Sequence, residues 1–85
     1  MLQTGWKQIR DNPICYLTGT IIDLSNPSDY ELDHIVPVSK NGSNSIENLG
    51  LLKTEINRMK NDMTVDELIN NCILILEHQG YSVTK

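Results

Sequence analysis

The alternation of polar and apolar residues predicts two short strands followed by a helix in the middle of the chain. Residues 30–37 alternate and end at a proline, which predicts a strand, and residues 48–52 are a short apolar element that predicts a second strand. In residues 53–60, Ile56 and Met59 lie three positions apart, which predicts a helix with Asn57 beside its apolar side. Strand, loop, strand and helix would then surround one small cavity.

The last segment of the chain carries the clearest helix signals. Thr64, followed three residues later by Glu67, predicts a capping box, and Gly80 predicts a C-cap. Between them, apolar side chains recur at helical spacing, which predicts a helix that packs on the rest of the domain. This apolar stripe comprises Val65, Leu68, Ile69, Cys72, Ile73, Ile75 and Leu76.

The first third of the chain predicts a short helix and a β-hairpin. Residues 5–10 predict the helix, which would stop at Asn12 and Pro13. Residues 14–17 and 20–22 predict strands on either side of a turn at Thr18 and Gly19. The expected fold is therefore α+β, with a β-hairpin, a central helix and an additional C-terminal packing helix. We expect residues 1–85 to form one domain.

Length and composition narrow the class of protein. A chain of 85 residues can build only one small core. Its two cysteines, Cys15 and Cys72, are far apart and form no Cys-x-x-Cys pair, so neither a disulfide framework nor a structural zinc site is indicated. The sequence has no apolar run long enough to span a membrane and no signal-peptide pattern at its start. We therefore expect a soluble, cytoplasmic protein.

Four polar residues suggest a site that hydrolyses phosphodiesters with one metal ion. Asp33 offers an anionic oxygen ligand, and Asn57 offers a neutral one. His34 is the side-chain type best suited to take a proton from water near neutral pH, and Asn48 follows it by fourteen positions. Alternation places Asp33 and His34 on opposite faces of a smooth strand, so a shared site would need a bend or an approach from both sides.

The charge balance complicates a nuclease function. Seven basic residues against eleven acidic ones give a net charge of −4, whereas DNA-binding domains that work alone are usually basic. Either other parts of a larger protein or assembly hold the nucleic acid, or the site is not a nuclease. The first is favoured because Lys40, Lys53, Arg58 and Lys60 lie among the motif residues.

Taken together, these residues resemble the HNH, or ββα-metal, endonucleases. The similarity covers residues 14–63 and is carried by Cys15 to Gly19, Glu31 to Ser39, Ser43 to Leu49, and Asn57 to Asp62. The Cys-x-x-Thr-Gly opening and the spacing from His34 to Asn48 and Asn57 are most similar to the HNH domains of CRISPR effector nucleases. HNH domains of other CRISPR complexes and of restriction enzymes remain close alternatives.

The resemblance implies a role for each residue of the site. Asp33 and Asn57 would bind Mg²⁺ or Mn²⁺, His34 would be the general base, and Asn48 would brace the loop and orient the histidine. Lys40, Arg58 and Lys60 would contact DNA phosphates. In many family members two Cys-x-x-Cys pairs bind a structural zinc ion. At the equivalent positions this chain has Cys15 and Thr18 for one pair, and Lys53 and Ile56 for the other. Structural zinc is therefore not expected.

The resemblance also implies a reaction and a biological context, and alternatives to both stay open. The implied function is cleavage of one DNA strand per site, as the nuclease module of a CRISPR-type or other phage-defence assembly, with a restriction or homing-type endonuclease as an alternative. A catalytically silent assembly module would suit the acidic charge and small size. A small nuclease acting on RNA is not distinguished from a DNA nuclease by the sequence.

Overall fold

A computed structural model of the chain describes residues 6–85. It contains three α-helices, α1 (Trp6–Asp11), α2 (Thr54–Lys60) and α3 (Val65–His78), and two strands, β1 (Tyr30–His34) and β2 (Leu49–Lys53). The expected α+β fold is confirmed, because a two-stranded antiparallel sheet is followed directly by helices. The predicted first helix is present as α1, and its predicted start at residue 5 lies outside the described residues.

The two strands pair in antiparallel register and form the centre of the domain. Glu31 lies opposite Leu52, and Asp33 lies opposite Gly50. Leu51 and Leu52 are both buried although they point to opposite faces of β2, so the strand is covered on both sides. The buried core consists of Cys15, Ile22, Leu51 and Leu52, and the partly buried residues packed around it include Ile9, Tyr16, Leu32 and Ile56.

The predicted hairpin at residues 14–22 is reduced to a single β-bridge between Ile14 and Ile21. The turn forms as expected, with Gly19 at a φ of +74° and its N–H bonded to the Cys15 carbonyl. However, the Tyr16 N–H donates to the Leu51 carbonyl of β2 rather than to a partner within the hairpin. The segment therefore covers the sheet instead of extending as a separate ladder.

Helix α2 begins at Thr54, one residue later than expected, and turns a different side inward. Ile56 packs against the core, but Met59 is 52% exposed, so the predicted apolar pair is wrong. The buried side instead includes Lys60, which is fully buried. The helix ends in a tight turn at Asn61, whose φ of 51° and ψ of −122° are unusual for a residue with a side chain.

Helix α3 has the ends that the sequence predicts. The Thr64 hydroxyl accepts a hydrogen bond from the Glu67 N–H at 3.1 Å, and the Glu67 carboxylate accepts one from the Thr64 N–H at 2.9 Å, which confirms the capping box. Gly80 follows the last residue of the cap with a φ of +98°, and the N–H groups of Gly80 and Tyr81 bond back to the last turn. This is the Schellman arrangement that glycine permits.

The apolar stripe of α3 is only partly covered, which differs from the expected packing helix. Leu68 is buried, and Val65 and Cys72, which lie in the same row, are half-buried. Ile73 is also half-buried, whereas four large apolar side chains of the helix are 40–65% exposed; they are Ile69, Leu74, Ile75 and Leu76. A narrow row is sufficient for contact with the small surface that α2 offers.

None of the helices within residues 6–85 is long and apolar enough to cross a membrane.

Candidate active site

Helix α2 lies against strand β1 through two polar contacts. The Asn57 side-chain amide donates to Glu31 Oε1 at 2.8 Å, and Lys60 Nζ pairs with Asp33 Oδ2 at 2.9 Å. The spacing of the residues explains why the two pairs form together. Side chains two apart on a strand share a face, and side chains three apart on a helix share a side. The sequence thus places Glu31 and Asp33 towards Asn57 and Lys60.

Asp33 is 9% exposed and is held by two donors. Its Oδ2 accepts a hydrogen bond from the Tyr16 hydroxyl at 2.8 Å in addition to the contact with Lys60. The residue opposite Asp33 in the sheet is Gly50, where an added Cβ would lie 2.5 Å from the Tyr16 ring. Glycine therefore leaves the space through which Tyr16 reaches Asp33. Burial and the adjacent Asp33 carboxylate raise the pKa of Tyr16, so its hydroxyl remains a donor.

Lys60 does not have the position expected of a phosphate-binding residue. Its side chain is fully buried, with Nζ on Asp33 Oδ2 and on the His34 carbonyl at 3.1 Å. A buried ammonium group with these partners has no exposed surface to offer to DNA, so the structure does not support the predicted nucleic-acid contact at Lys60. The reason is electrostatic, since the buried carboxylate of Asp33 requires a compensating charge.

His34 lies at the end of β1, where a loop approaches its ring. Its Nε2 is 3.0 Å from Asn44 Oδ1. An amide oxygen can only accept a hydrogen bond, so this contact requires a proton on Nε2, and in the neutral ring Nδ1 then keeps its lone pair. Sequence reasoning did not single out Asn44, which is one of several polar residues in a turn-rich loop.

Asn48 ties this loop together with one amide group. Its Oδ1 accepts from the Val36 N–H at 3.0 Å, and its Nδ2 donates to the carbonyls of Val36 at 2.9 Å and Ser43 at 2.8 Å. The Ile35 N–H also bonds to the Asn48 carbonyl at 2.8 Å. The side chain therefore holds the two ends of the loop that follows His34.

Asn57 reaches the site from α2, and its amide is oriented by Glu31. The hydrogen bond from Asn57 is the main cause of a lowered pKa at Glu31, with a smaller contribution from Arg58, whose guanidinium lies 3.4 Å from Glu31 Oε2. Sequence reasoning missed Glu31, although alternation places it on the same strand face as Asp33. That shared face, two residues before a predicted metal ligand, is the signal that could have identified it.

Arg58 and Lys40, the two remaining basic residues of the predicted DNA contact, differ in how far other residues already occupy their charged groups. The Arg58 side chain is 72% exposed, and its only ion pair among the described residues is the long contact with Glu31. Lys40 instead donates to the Asp62 carbonyl at 2.8 Å and pairs with Glu67 at 2.9 Å, which ties its turn to the start of α3. Arg58 is therefore the residue better placed for a phosphate.

The structure brings the predicted site residues onto neighbouring elements without joining all of them directly. Asp33 and His34 are consecutive at the end of β1, and Asn57 projects from the helix that packs on that strand. Among residues 6–85, no hydrogen bond joins Asp33 to Asn57, or either of them to the His34 ring. Each side chain is held by its own partners instead: Asp33 by Tyr16 and Lys60, the His34 ring by Asn44, and Asn57 by Glu31.

The donor set fits a divalent cation of the magnesium type. Asp33 Oδ1 and Asn57 Oδ1 accept no hydrogen bond from the described residues and are hard oxygen donors. No group of three or more His, Cys, Asp or Glu side chains within residues 6–85 could hold a metal ion. The pair would thus supply two ligands, and water or phosphate would supply the others, as is usual for Mg²⁺.

Comparison with known proteins identifies the family of the chain. Residues 15–66, more than half of the chain, match the HNH endonuclease family. The chain is also 49% identical over 45 residues to the CRISPR-associated endonuclease Cas9 of Listeria innocua, a match that covers 53% of this chain and 3% of that protein. No solved structure matches the chain. The match across the strand, loop and helix of the site shows that the chain belongs to the HNH endonuclease family.

Proposed function

We propose that this HNH domain hydrolyses DNA phosphodiester bonds in a reaction that depends on Mg²⁺ or Mn²⁺ and cuts one strand per site. The observation that carries the proposal is the packing of α2 on β1, which brings Asn57 to the strand that ends in Asp33 and His34. The family match spans all three residues. The site has one histidine and one pair of oxygen ligands, which is sufficient for one cut.

In this proposal His34 is the general base. The bond from Nε2 to Asn44 leaves Nδ1 to accept a proton from the attacking water. Asn48 braces the loop after His34, which keeps the backbone of the histidine in place. Asp33 and Asn57 would hold the cation, which when bound stabilises the negative charge that develops on the phosphate and the departing oxygen.

Arg58 is the proposed phosphate contact nearest to the site. Its side chain is exposed and lies one residue from Asn57, so a bound strand could reach both. Lys40 could contribute only if DNA replaced its present partners, Asp62 and Glu67. With a net charge of −4, the domain has little general attraction for DNA.

We therefore propose that the domain works inside a larger protein or assembly that holds the DNA. The similarity to a segment of a Cas9 protein supports a CRISPR-type nucleoprotein complex with a role in phage defence. A restriction or homing-type endonuclease is the alternative setting. The exposed apolar side chains of α3, including Leu74 and Ile75, also support a covering partner.

Cleavage assays test this proposal. Supercoiled plasmid and labelled single-stranded RNA are incubated separately with the chain and Mg²⁺, Mn²⁺ or EDTA. We expect nicked plasmid only with a metal ion, and a loss of about 10²–10⁴-fold in rate for His34→Ala. Linear plasmid that forms without a nicked intermediate would contradict one cut per site, and cleavage of RNA alone would contradict DNA as the substrate.

A catalytically silent module is the second candidate, and one observation favours it. Asp33 Oδ2 is already paired with Lys60 and bonded to Tyr16, so the charge of this carboxylate is compensated without a metal ion. The same cleavage assay distinguishes the two candidates. If neither plasmid nor RNA is cut, even when the domain is supplied within its parent assembly, the silent module is correct.

A further inference from the structure

The Asn57 amide has two ends, and only one of them can bind a cation. Its oxygen is a metal ligand, whereas its NH₂ group is a donor that a cation repels. Rotation of the amide by half a turn exchanges the two at small steric cost. An asparagine that serves as a ligand therefore needs a neighbour that accepts a hydrogen bond from the NH₂ group.

Glu31 is placed to be that neighbour. Its Oε1 accepts a hydrogen bond from Asn57 Nδ2 at 2.8 Å. An ionised carboxylate has no proton to donate, so it can act only as an acceptor. The flipped amide would instead place its oxygen against the carboxylate, with no proton between the two. The Glu31–Asn57 pair thus selects one orientation, in which the Asn57 oxygen points away from Glu31.

The Glu31 carboxylate is itself held in place. It projects from β1 opposite Leu52, a fully buried residue of the core, so its backbone position is fixed by the sheet. Arg58 Nη2 approaches the second oxygen, Oε2, at 3.4 Å, which leaves Oε1 to Asn57. Glu31 is nevertheless only partly covered, with 35% of its side chain exposed, so changing it does not disturb the core.

We propose that Glu31 is a positioning residue that orients the Asn57 amide with its oxygen towards the cation. The inference rests on the proposed function, because it assigns Asn57 as a ligand. It does not make Glu31 a ligand itself. If Glu31 acts only through Asn57, then its removal must have no further effect once Asn57 is gone, and this condition can be measured.

The first measurement reads the orientation without any metal ion or DNA. The side-chain amide of Asn57 is followed by NMR in the 85-residue chain, and its exchange with water is compared between the unchanged protein and Glu31→Met. We expect several-fold faster exchange in Glu31→Met and no change in Glu77→Met, a control at an exposed glutamate on α3. An Asn57 amide that does not respond to Glu31→Met overturns the inference, whether or not the chain cleaves DNA.

The second measurement is a double-mutant cycle on the Mg²⁺ dependence of plasmid nicking. Loss of a residue that orients a metal ligand typically costs about 10–100-fold in metal affinity, so Glu31→Met should raise the half-saturating Mg²⁺ by at least about 10-fold. Glu31→Gln keeps an acceptor oxygen and should lose less. In the Asn57→Ala background, Glu31→Met should cause no further loss.

The outcomes separate this inference from the proposed function. Independent, multiplicative losses from Glu31→Met and Asn57→Ala would overturn the inference, as would a Glu31→Gln variant as impaired as Glu31→Met, since both results indicate a direct role for the Glu31 charge. A chain whose Asn57 amide responds to Glu31→Met but which never cleaves DNA would contradict the proposed function, while the orientation of Asn57 by Glu31 would stand.

Discussion

Replacement of Lys60 by methionine tests whether this lysine supports the fold or contacts DNA. Methionine has a similar length and no charge, so Lys60→Met removes the ammonium group and keeps most of the packing. The variant leaves the Asp33 carboxylate, 9% exposed, with only the Tyr16 hydroxyl as a donor. The His34 carbonyl also loses the hydrogen bond from Nζ.

The expected loss is a large fraction of the stability of the domain. Removal of one partner from a buried ion pair costs about 3–5 kcal/mol, because the other charge remains buried without compensation. A domain of 85 residues has a free energy of unfolding of about 4–13 kcal/mol. If Lys60 were instead exposed and bound to phosphate, the same substitution would change stability by about 0.5 kcal/mol or less.

Urea unfolding followed by circular dichroism measures this loss. Arg58→Met is the matched control, since its side chain is 72% exposed and should cost less than about 0.5 kcal/mol. If Lys60→Met proves too unstable to study, Asp33→Asn in the same chain removes the uncompensated charge and should recover at least about 1 kcal/mol. A loss below about 1 kcal/mol for Lys60→Met would refute the assignment of Lys60 to the buried pair.

Three further predictions concern the surroundings of the site. Gly50→Ala would push the Tyr16 ring away from Asp33 and lower the free energy of unfolding by about 1–3 kcal/mol; an unchanged urea midpoint would contradict this close contact. Asn61→Gly should raise stability by about 1 kcal/mol, because glycine adopts this turn without strain; a less stable variant would show that no strain is stored there. Hydrogen bonds from the Thr64 N–H and from Lys40 lower the pKa of Glu67 below its ordinary 4.5, so Glu67 stabilises the fold above that pH and loses this effect as the pH falls. Melting temperatures measured across this range should therefore fall less steeply in Glu67→Gln than in the unchanged protein, and equal slopes would argue against the contribution.

The parts of the fold that the sequence predicts well are those set by local spacing. The capping box at Thr64 and Glu67 and the glycine after α3 depend on residues close together in the chain, and both form. The two strands of the sheet are also predicted, from alternation and apolar content. The hairpin predicted at residues 14–22 forms only one β-bridge, because the backbone of Tyr16 pairs instead with Leu51, a partner that is distant in sequence.

In the candidate site, too, the residues themselves could be predicted from the sequence, but their contacts could not. The predicted residues Asp33, His34 and Asn57 are all found on β1 and α2, but the contacts that hold them come from other residues. The burial of Lys60 could not be predicted from its position at the end of a short helix, where lysine is usually solvated. Lys60 is buried because it pairs with Asp33, and the closeness of these two residues arises only when the chain folds.

Whether Asp33 and Asn57 hold a cation is tested most directly by locating the ion with Mn²⁺. Paramagnetic Mn²⁺ broadens the NMR signals of nuclei close to it, so a titration of the labelled 85-residue chain reports the binding site residue by residue. We expect the signals of Asp33, His34 and Asn57 to broaden first, and Asp33→Ala to abolish the effect. Broadening centred elsewhere, or unchanged broadening in Asp33→Ala, would contradict a cation held by Asp33 and Asn57 beside His34.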